Sequence, residues 1–167
     1  MKKTVSSILA VFLSLLFLFQ TSLAALADEE PDWQDISLTQ EEFDEILSQN
    51  PNNQIATYTS GLIFSYAIAI SKSGSNLLIA GKTLCGSDVK KCGFSVVTIK
   101  RRTSSTASWT TYKTYEDMYT DGYSYTLSKT IAVASGYQYK VYCTHYAKKS
   151  LLSTEKISNS SNVISFN

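Results

Sequence analysis

The order of hydrophobic and polar positions divides the chain into three parts. Residues 8–19 are a continuous apolar run, residues 39–49 carry apolar side chains at helical spacing, and from Leu62 onward the period is two. In the third part Val, Ile, Thr, Tyr and Phe dominate, and Gly, Ser and Asn separate the alternating runs, which predicts short strands joined by turns. We expect strands over residues 62–71, 77–84, 94–103, 109–119, 123–133, 137–146, 155–159 and 163–166.

Successive short strands without alternating helices predict an all-β fold, an antiparallel sandwich or barrel. The most specific local pattern is Val133-Ala134-Ser135-Gly136-Tyr137-Gln138-Tyr139-Lys140-Val141. It resembles the turn into strand F of fibronectin type III and related immunoglobulin-like domains. That resemblance implies a tyrosine corner, with Tyr139 bonding to backbone upstream near Val133. We therefore expect an antiparallel immunoglobulin-like β-sandwich of about seven or eight strands.

The N-terminus has the features of a secretory signal peptide. Lys2 and Lys3 precede the apolar run, and Ala25-Leu26-Ala27 is a small-x-small cleavage pattern. The run has twelve residues, whereas a membrane-spanning helix needs about 20. We expect cleavage of residues 1–27 before Asp28, and a secreted, extracellular protein without a stable membrane anchor.

Residues 28–57 are predicted to form an acidic arm in front of a β domain at residues 58–167. Thr39 and Glu42 have the spacing of a helix N-cap and capping box, which predicts a short helix over residues 39–49. Its apolar face would contain Phe43, Ile46 and Leu47, whereas residues 28–35 are expected to be mobile. Three interpretations remain: a solvated spacer, a cover over the basic body, or a helix that binds a partner.

Charge is distributed unevenly between these two parts. Nine of the fourteen acidic residues lie between Asp28 and Glu45, while residues 58–167 hold thirteen Lys or Arg against five Asp or Glu. Such a basic body favours anionic partners. Because secretion is expected and no recognition motif is present, nucleic acid is not an expected partner.

The three cysteines allow several pairings. Cys85 and Cys92 bracket a six-residue loop between two predicted strands, so in an exported protein we expect a disulfide between them. Cys143 is the alternative partner of either. Their spacing does not match that of most structural zinc sites, and we expect neither a metal nor a cofactor.

Cys143 and His145 are the one pair suited to nucleophilic catalysis. On a strand they share a face, so a thiol and an imidazole base would be close enough for a hydrolase or acyltransferase. The same face contains Tyr139 and Val141, which indicates a core position instead. We therefore expect no catalytic residues and no enzyme activity.

Aromatic and basic residues define the predicted ligand surface. Nine of the eleven tyrosines lie between Tyr112 and Tyr146, where they either fill the strands or form an exposed stacking platform. Tyr142 and Tyr146 alternate with the presumed buried face. The predicted surface contains Trp109, Tyr142, Tyr146, Lys100, Arg101, Arg102, Lys148 and Lys149.

The order of features resembles a group of small secreted β-sandwich proteins of Gram-positive bacteria that share a domain of unknown function. These features are the signal peptide, the acidic segment, Trp109, Tyr137-Gln138-Tyr139-Lys140-Val141 and the later His145 and Glu155. The expected function is a non-catalytic binding module for an anionic glycan or cell-wall polymer. The main alternative is a bacteriocin-like secreted effector.

Overall fold

A computed structural model describes residues 32–53 and 61–167 of the chain. The predicted signal peptide, its cleavage before Asp28 and the boundary expected between residues 57 and 58 lie outside these residues. Trp33–Asn167 form one compact unit. Its elements are β1 (Gln34–Asp35), α1 (Gln40–Ser48), β2 (Ile63–Ser73), β3 (Asn76–Cys85), β4 (Lys91–Arg102), β5 (Thr110–Asp121), β6 (Ser124–Ala132), β7 (Tyr137–Ser150), β8 (Ser153–Ser160) and β9 (Ile164–Phe166).

The strands form two antiparallel sheets. The four-stranded sheet has the order β1-β6-β3-β2, and the five-stranded sheet has the order β5-β4-β7-β8, with β9 also paired to β7. Each of the eight predicted strands corresponds to one of β2 to β9. The prediction of an all-β fold is confirmed, and the residues that the structure describes form a two-sheet sandwich with one short helix.

The core lies between the sheets and follows the two-residue period. Along β7 every second residue from Tyr139 to Ala147 is buried, because successive side chains of a strand point to opposite faces. Three of them, Tyr139, Val141 and Cys143, belong to the same buried cluster as Phe94 and Val97 of β4 and Ile68 and Leu77 of the other sheet. Burial of each large apolar side chain contributes about 1.5–3 kcal/mol, so this cluster stabilises the sandwich.

Tyr139 closes the turn that precedes β7. Its ring is fully buried, and its hydroxyl donates a 3.0 Å hydrogen bond to the carbonyl of Ala134. Gly136 in the same turn has φ +80°, a backbone conformation that residues other than glycine rarely adopt. An upstream backbone bond of this kind is what the tyrosine-corner hypothesis requires, with Ala134 rather than Val133 as the acceptor.

The segment before the helix differs from the expected mobile arm. Trp33 is buried and stacks on Tyr115, with ring centroids 3.5 Å apart and planes within 2°. Gln34 and Asp35 follow as β1, which pairs with the edge of β6. Asp35 also forms an ion pair with Lys129 at 2.7 Å. Burial of the large apolar indole ring of Trp33 stabilises the folded state, and this outweighs the tendency of its charged neighbours to keep the segment in solvent.

Helix α1 packs on the outer side of the four-stranded sheet. Its buried residues Phe43, Ile46 and Leu47 contact three small residues of β2 and β3, namely Ala67, Ala69 and Ala80. The helix is therefore on the sheet opposite β4, β5 and β7, and it does not cover their basic side chains. Asn50 holds the end of this segment by donating from Nδ2 to the carbonyls of Ile68, at 2.6 Å, and Ser160, at 2.9 Å.

The predicted capping box is present. The Thr39 hydroxyl accepts from the Glu42 backbone N–H, and the Glu42 carboxylate accepts from the Thr39 N–H at 2.8 Å. The hydrogen bonds that the Glu42 carboxylate accepts from the Thr39 N–H and from the Thr39 hydroxyl lower the pKa of Glu42, and the negative charge also suits the positive end of the helix dipole.

Thr39→Ala should lower the free energy of unfolding by about 1 kcal/mol, because it removes the acceptor for one of the free N–H groups of the first turn. Urea denaturation followed by circular dichroism measures this loss. The exposed neighbour Ser37, which lies outside the helix, provides the control Ser37→Ala. Equal stability of the two variants would contradict a contribution from the cap.

Candidate functional site

The candidate site is the face of the five-stranded sheet that is turned away from the core, called here the outer face. On β7 it contains Tyr142, Tyr146 and Lys148, which alternate with the buried positions. On β4 it contains Lys100 and Arg102, because they alternate with Val97 and Ile99, which point into the core, and with Arg101, which pairs with the buried Tyr139. Five of the eight predicted ligand-surface residues thus occupy one face, and Trp109 joins them through Arg102.

Two tyrosines meet across a glycine in the middle of this face. Gly93 of β4 pairs with Tyr119 of β5 on one side and with Tyr146 of β7 on the other. Since Gly93 has no side chain, the two rings approach each other, with centroids 4.6 Å apart. Lys91 lies 5.0 Å from the Tyr119 ring and Lys156 lies 5.9 Å from the Tyr146 ring.

Tyr142 forms a second aromatic position, between two lysines. The ammonium groups of Lys100 and Lys140 lie 5.1 and 5.0 Å from its ring centroid. Beside the ring is a shallow cavity of about 370 Å³, whose other lining residues are polar: Asn52, Ser158, Asn159 and Ser160. This arrangement offers a flat ring, two cations and several amide or hydroxyl groups within a small area.

Arg102 connects the third aromatic position, Trp109, to the sheet. Its guanidinium carbon lies 4.4 Å from the Trp109 ring, its Nε donates to Gln138 at 2.9 Å, and its Nη1 donates to the Ser105 carbonyl at 2.8 Å. The side chain is therefore held in one orientation by the loop and by β7.

Two predicted surface residues do not belong to this face. Arg101 lies between Tyr112 and Tyr137, at 4.9 and 4.6 Å from their ring centroids, because it points to the opposite side from Lys100 and Arg102. Lys149 forms an ion pair with Asp88. A run of three basic residues on a strand cannot place all three on one face, which is why the predicted cluster is divided.

The outer face has a basic centre and an acidic edge. Six Lys or Arg residues of β4, β7 and β8 lie on it, whereas Glu116 and Asp121 are on the edge strand β5. Asp117, also on β5, accepts a 2.9 Å hydrogen bond from the Tyr119 hydroxyl. Burial and this carboxylate raise the pKa of Tyr119 to about 12. The basic residues are Lys91, Lys100, Arg102, Lys140, Lys148 and Lys156.

Four residues of this face are not among those of the predicted ligand surface: Tyr119, Lys91, Lys140 and Lys156. Lys140 is two residues from Tyr142, so strand alternation alone gives its position. The positions of Tyr119 and Lys156 depend on the register of β5 and β8 against their neighbours. Nothing in the sequence of a single strand specifies that register.

The predicted Cys85–Cys92 disulfide is wrong: the three cysteines are free and buried. The Cys92 thiol donates to the Thr83 carbonyl, with the sulfur 3.3 Å from the oxygen. A hydrogen bond to Cys92 and burial raise the pKa of Cys85, while the same bond lowers the pKa of Cys92. The pair is close in space, as the loop spacing indicated, but no disulfide joins the two sulfurs.

Cys143 and His145 do lie together, inside the core. The sulfur of Cys143 is 3.4 Å from Nε2 of His145, and Nδ1 of His145 is 2.8 Å from the Thr83 hydroxyl. Because that hydroxyl donates to the Gly93 carbonyl at 3.1 Å, it accepts from Nδ1–H, which leaves Nε2 as the acceptor for the Cys143 thiol. His145 is therefore neutral in a fully satisfied network.

Burial favours the neutral form of both members of this pair. His145 is fully buried and its pKa is lowered to about 3, while burial raises the pKa of the Cys143 thiol. Both shifts oppose the thiolate–imidazolium form that a nucleophilic cysteine needs. This environment fits a structural hydrogen-bond network.

Within residues 32–53 and 61–167, no His, Cys, Asp and Glu side chains are grouped in a way that would hold a metal ion. The same part of the chain contains no helix with the length and apolar character needed to span a membrane. Comparison of the chain with models of known families, with curated proteins and with solved structures gives no match.

Proposed function

We propose that the protein is a secreted, non-catalytic binding module whose outer face binds an anionic glycan or cell-wall polymer. The observation that carries this proposal is the pairing of every aromatic ring of the face with a cation. Trp109, Tyr119, Tyr142 and Tyr146 each have a Lys or Arg within 6 Å.

Such pairs suit a sugar polymer that carries negative charge. A flat ring offers a surface for the C–H groups of a sugar, and its edge is available for polar contacts. The neighbouring ammonium and guanidinium groups donate charge-assisted hydrogen bonds to carboxylate, sulfate or phosphate. Since the rings already hold the lysines in place, less side-chain entropy is lost when the ligand binds.

The finer fold in this proposal is immunoglobulin-like, of the fibronectin type III kind. The order β5-β4-β7-β8 in one sheet and β6-β3-β2 in the other supports it, with β7 as strand F. The hydrogen bond from Tyr139 to Ala134 at the start of β7 is in the place where a tyrosine corner occurs. Kinship with the small secreted proteins of Gram-positive bacteria, and export with cleavage before Asp28, are part of the same proposal.

The absence of catalysis in this proposal is supported by the core position of the only Cys–His pair. Cys143 and His145 are 4% and 0% exposed, and both are neutral. A substrate would reach them only if the sheets separated. The binding face, in contrast, is on the opposite side of β7.

Replacement of the two lysines beside Tyr142 should weaken binding. Lys100→Gln/Lys140→Gln removes two cations from the outer face, and we expect about tenfold weaker binding to heparin and to a Gram-positive cell-wall preparation at low salt. Isothermal titration measures the first and co-sedimentation the second.

The proposed export is tested separately. Mass spectrometry of the protein recovered from the medium of an exporting host gives its N-terminus, which should be Asp28.

The matched control is Lys72→Gln/Lys82→Gln, which makes the same change of net charge on the four-stranded sheet. Equal weakening by both double variants would mean that only net charge matters, and it would contradict a site on the outer face. A wild-type protein that binds neither probe at low salt would also overturn the proposal.

A further inference from the structure

One end of the sandwich collects loops from both sheets and is called here the tip. It contains the start of β2, the β3–β4 loop, the β5–β6 turn and the β7–β8 turn. Backbone hydrogen bonds join these segments: Cys85 donates to Tyr123 at 2.8 Å, Gly122 to Lys90 at 2.9 Å and Lys90 to Lys148 at 2.9 Å. The tip is therefore one connected surface.

Exposed apolar side chains are concentrated at this tip. Of the five large hydrophobic residues that are exposed in the described part of the chain, four lie there: Phe64 at 40%, Tyr123 at 52%, Leu151 at 88% and Leu152 at 99%. The fifth, Val163, lies in the segment before β9, which pairs with the opposite end of β7. Concentrated exposed apolar surface of this kind indicates a contact site.

The two leucines are not explained by the turn that they form. Leu151 and Leu152 connect β7 to β8 as a two-residue turn between the paired residues Ser150 and Ser153. Turns of this length favour Gly, Asn and Asp, whose backbone or short polar side chains suit the geometry. Leucine contributes nothing to such a turn, and these two side chains lie almost entirely in water.

The hairpin also projects from the rest of the sheet. The first residue of β4, Lys91, pairs with Lys148, so residues 149–154 extend past the neighbouring strand. A cleft of about 580 Å³ lies beneath it, lined by residues that include Phe64, Leu152 and Glu155. The leucines therefore form a convex apolar point instead of a flat patch or a groove.

Basic residues surround this point, and two of the nearby carboxylates, Asp88 and Glu155, already have partners. Lys90, Lys91, Lys148 and Lys149 belong to the tip. Asp88 pairs with Lys149. The carboxylate of Glu155 accepts hydrogen bonds from the backbone N–H groups of Leu62 and, at 2.9 Å, Ile63, which turns its charge toward β2.

We propose that the tip docks on an anionic lipid bilayer, with Leu151 and Leu152 inserted at the level of the headgroups and the lysines paired with lipid phosphates. A convex apolar point fits a deformable apolar medium, whereas a protein partner would need a pocket of matching shape. Apolar insertion combined with lysine contacts is how peripheral proteins bind anionic bilayers. Leu151, Leu152 and Lys90 are not part of the outer face, so this contact is distinct from glycan binding, although Lys91 and Lys148 belong to both surfaces.

The test is co-sedimentation with vesicles made of equal parts phosphatidylglycerol and phosphatidylcholine. Wild type and all variants are purified from the medium of the same exporting host. Residues 8–19 are therefore cleaved or retained in all of them alike and cannot cause a difference in vesicle binding. Leu151→Ser and Leu152→Ser should each weaken binding about tenfold, and the double variant should show both losses. Lys90→Gln should weaken it about fivefold, and only on anionic vesicles.

Val163→Ser is the matched control, because it removes an exposed apolar residue away from the tip and should leave vesicle binding unchanged. Since both leucines are exposed, the double serine variant should retain the wild-type urea midpoint and its binding to heparin. The proposal is overturned if wild-type protein does not sediment with anionic vesicles, or if the double variant binds them like wild type. A change in oligomeric state without loss of vesicle binding would instead assign the tip to contact between two copies.

Discussion

Acidification from pH 6.5 toward pH 3 should lower the free energy of unfolding by about 1.4 kcal/mol per pH unit through His145 alone. The pKa of His145 in the folded protein is about 3, against 6.5 for an ordinary histidine. Between these values the unfolded chain binds one proton more than the folded protein, so stability rises with pH. The contribution is complete above pH 6.5 and should be lost progressively as pH falls, by about 4–5 kcal/mol in total.

The structural cause is the core network that holds the imidazole neutral. His145 donates to the Thr83 hydroxyl and accepts from the Cys143 thiol, and the ring of Tyr66 lies 5.3 Å from its own. No carboxylate takes part in these contacts, so a protonated ring would be a buried charge without a counterion. Urea denaturation at a series of pH values measures the slope.

His145→Gln is the control for this slope. Glutamine can still donate and accept in the network, but it does not titrate. The variant should therefore lack the histidine contribution to the pH dependence. Because that contribution is complete above pH 6.5, the variant should be less stable than wild type at pH 7. The stability difference between wild type and variant should therefore shrink as pH falls below 6.5. Parallel losses in the two proteins would contradict the pKa shift of His145.

Gly93→Ala should cost about 3 kcal/mol or more, because the added methyl group has no space. An added Cβ would lie 2.1 Å from the backbone oxygen of Met118 on β5 and 2.9 Å from Cα of Tyr119. Gly93 also has φ +153°, a backbone conformation that residues other than glycine rarely adopt. Relief would require β4 and β5 to separate, and this would also move Tyr119 away from Tyr146. Urea denaturation measures the loss.

Gly74→Ala is the matched control, since Gly74 has φ +59° but nothing within 4 Å of an added Cβ. It should show only the backbone cost of a left-handed residue, about 1–2 kcal/mol. The difference between the two variants isolates the clash with β5. Similar losses for both would show that the sheet accommodates the methyl group and would contradict the close packing at Gly93.

Much of the secondary structure followed from local patterns. Strands β2 to β9 have period-two alternation with turn residues between them, and both signals depend on neighbours in sequence. The helix was predictable for the same reason, because Thr39 and Glu42 form their cap within one turn. The core position of Cys143 and His145 also followed, since they share a strand face with Tyr139 and Val141.

The candidate site was predictable only in part. Trp109, Tyr142 and Tyr146 were identified from composition and alternation. Tyr119 was not placed on the predicted surface, because its contact with Tyr146 depends on two strand registers and on the glycine between them. Arg101 was grouped with its sequence neighbours although strand geometry places it on the opposite face.

The sequence alone determined the strands, the capped helix and the separation of an acidic segment from a basic body, because hydrophobic period, capping and charge are local properties. Only the tertiary structure decided that Trp33 enters the core, that α1 packs on the sheet opposite the basic face, and that Cys85 and Cys92 remain thiols. It also decided which rings and cations share the outer face. These outcomes depend on which surfaces meet when the sheets pair and pack, and such contacts join residues far apart in the chain.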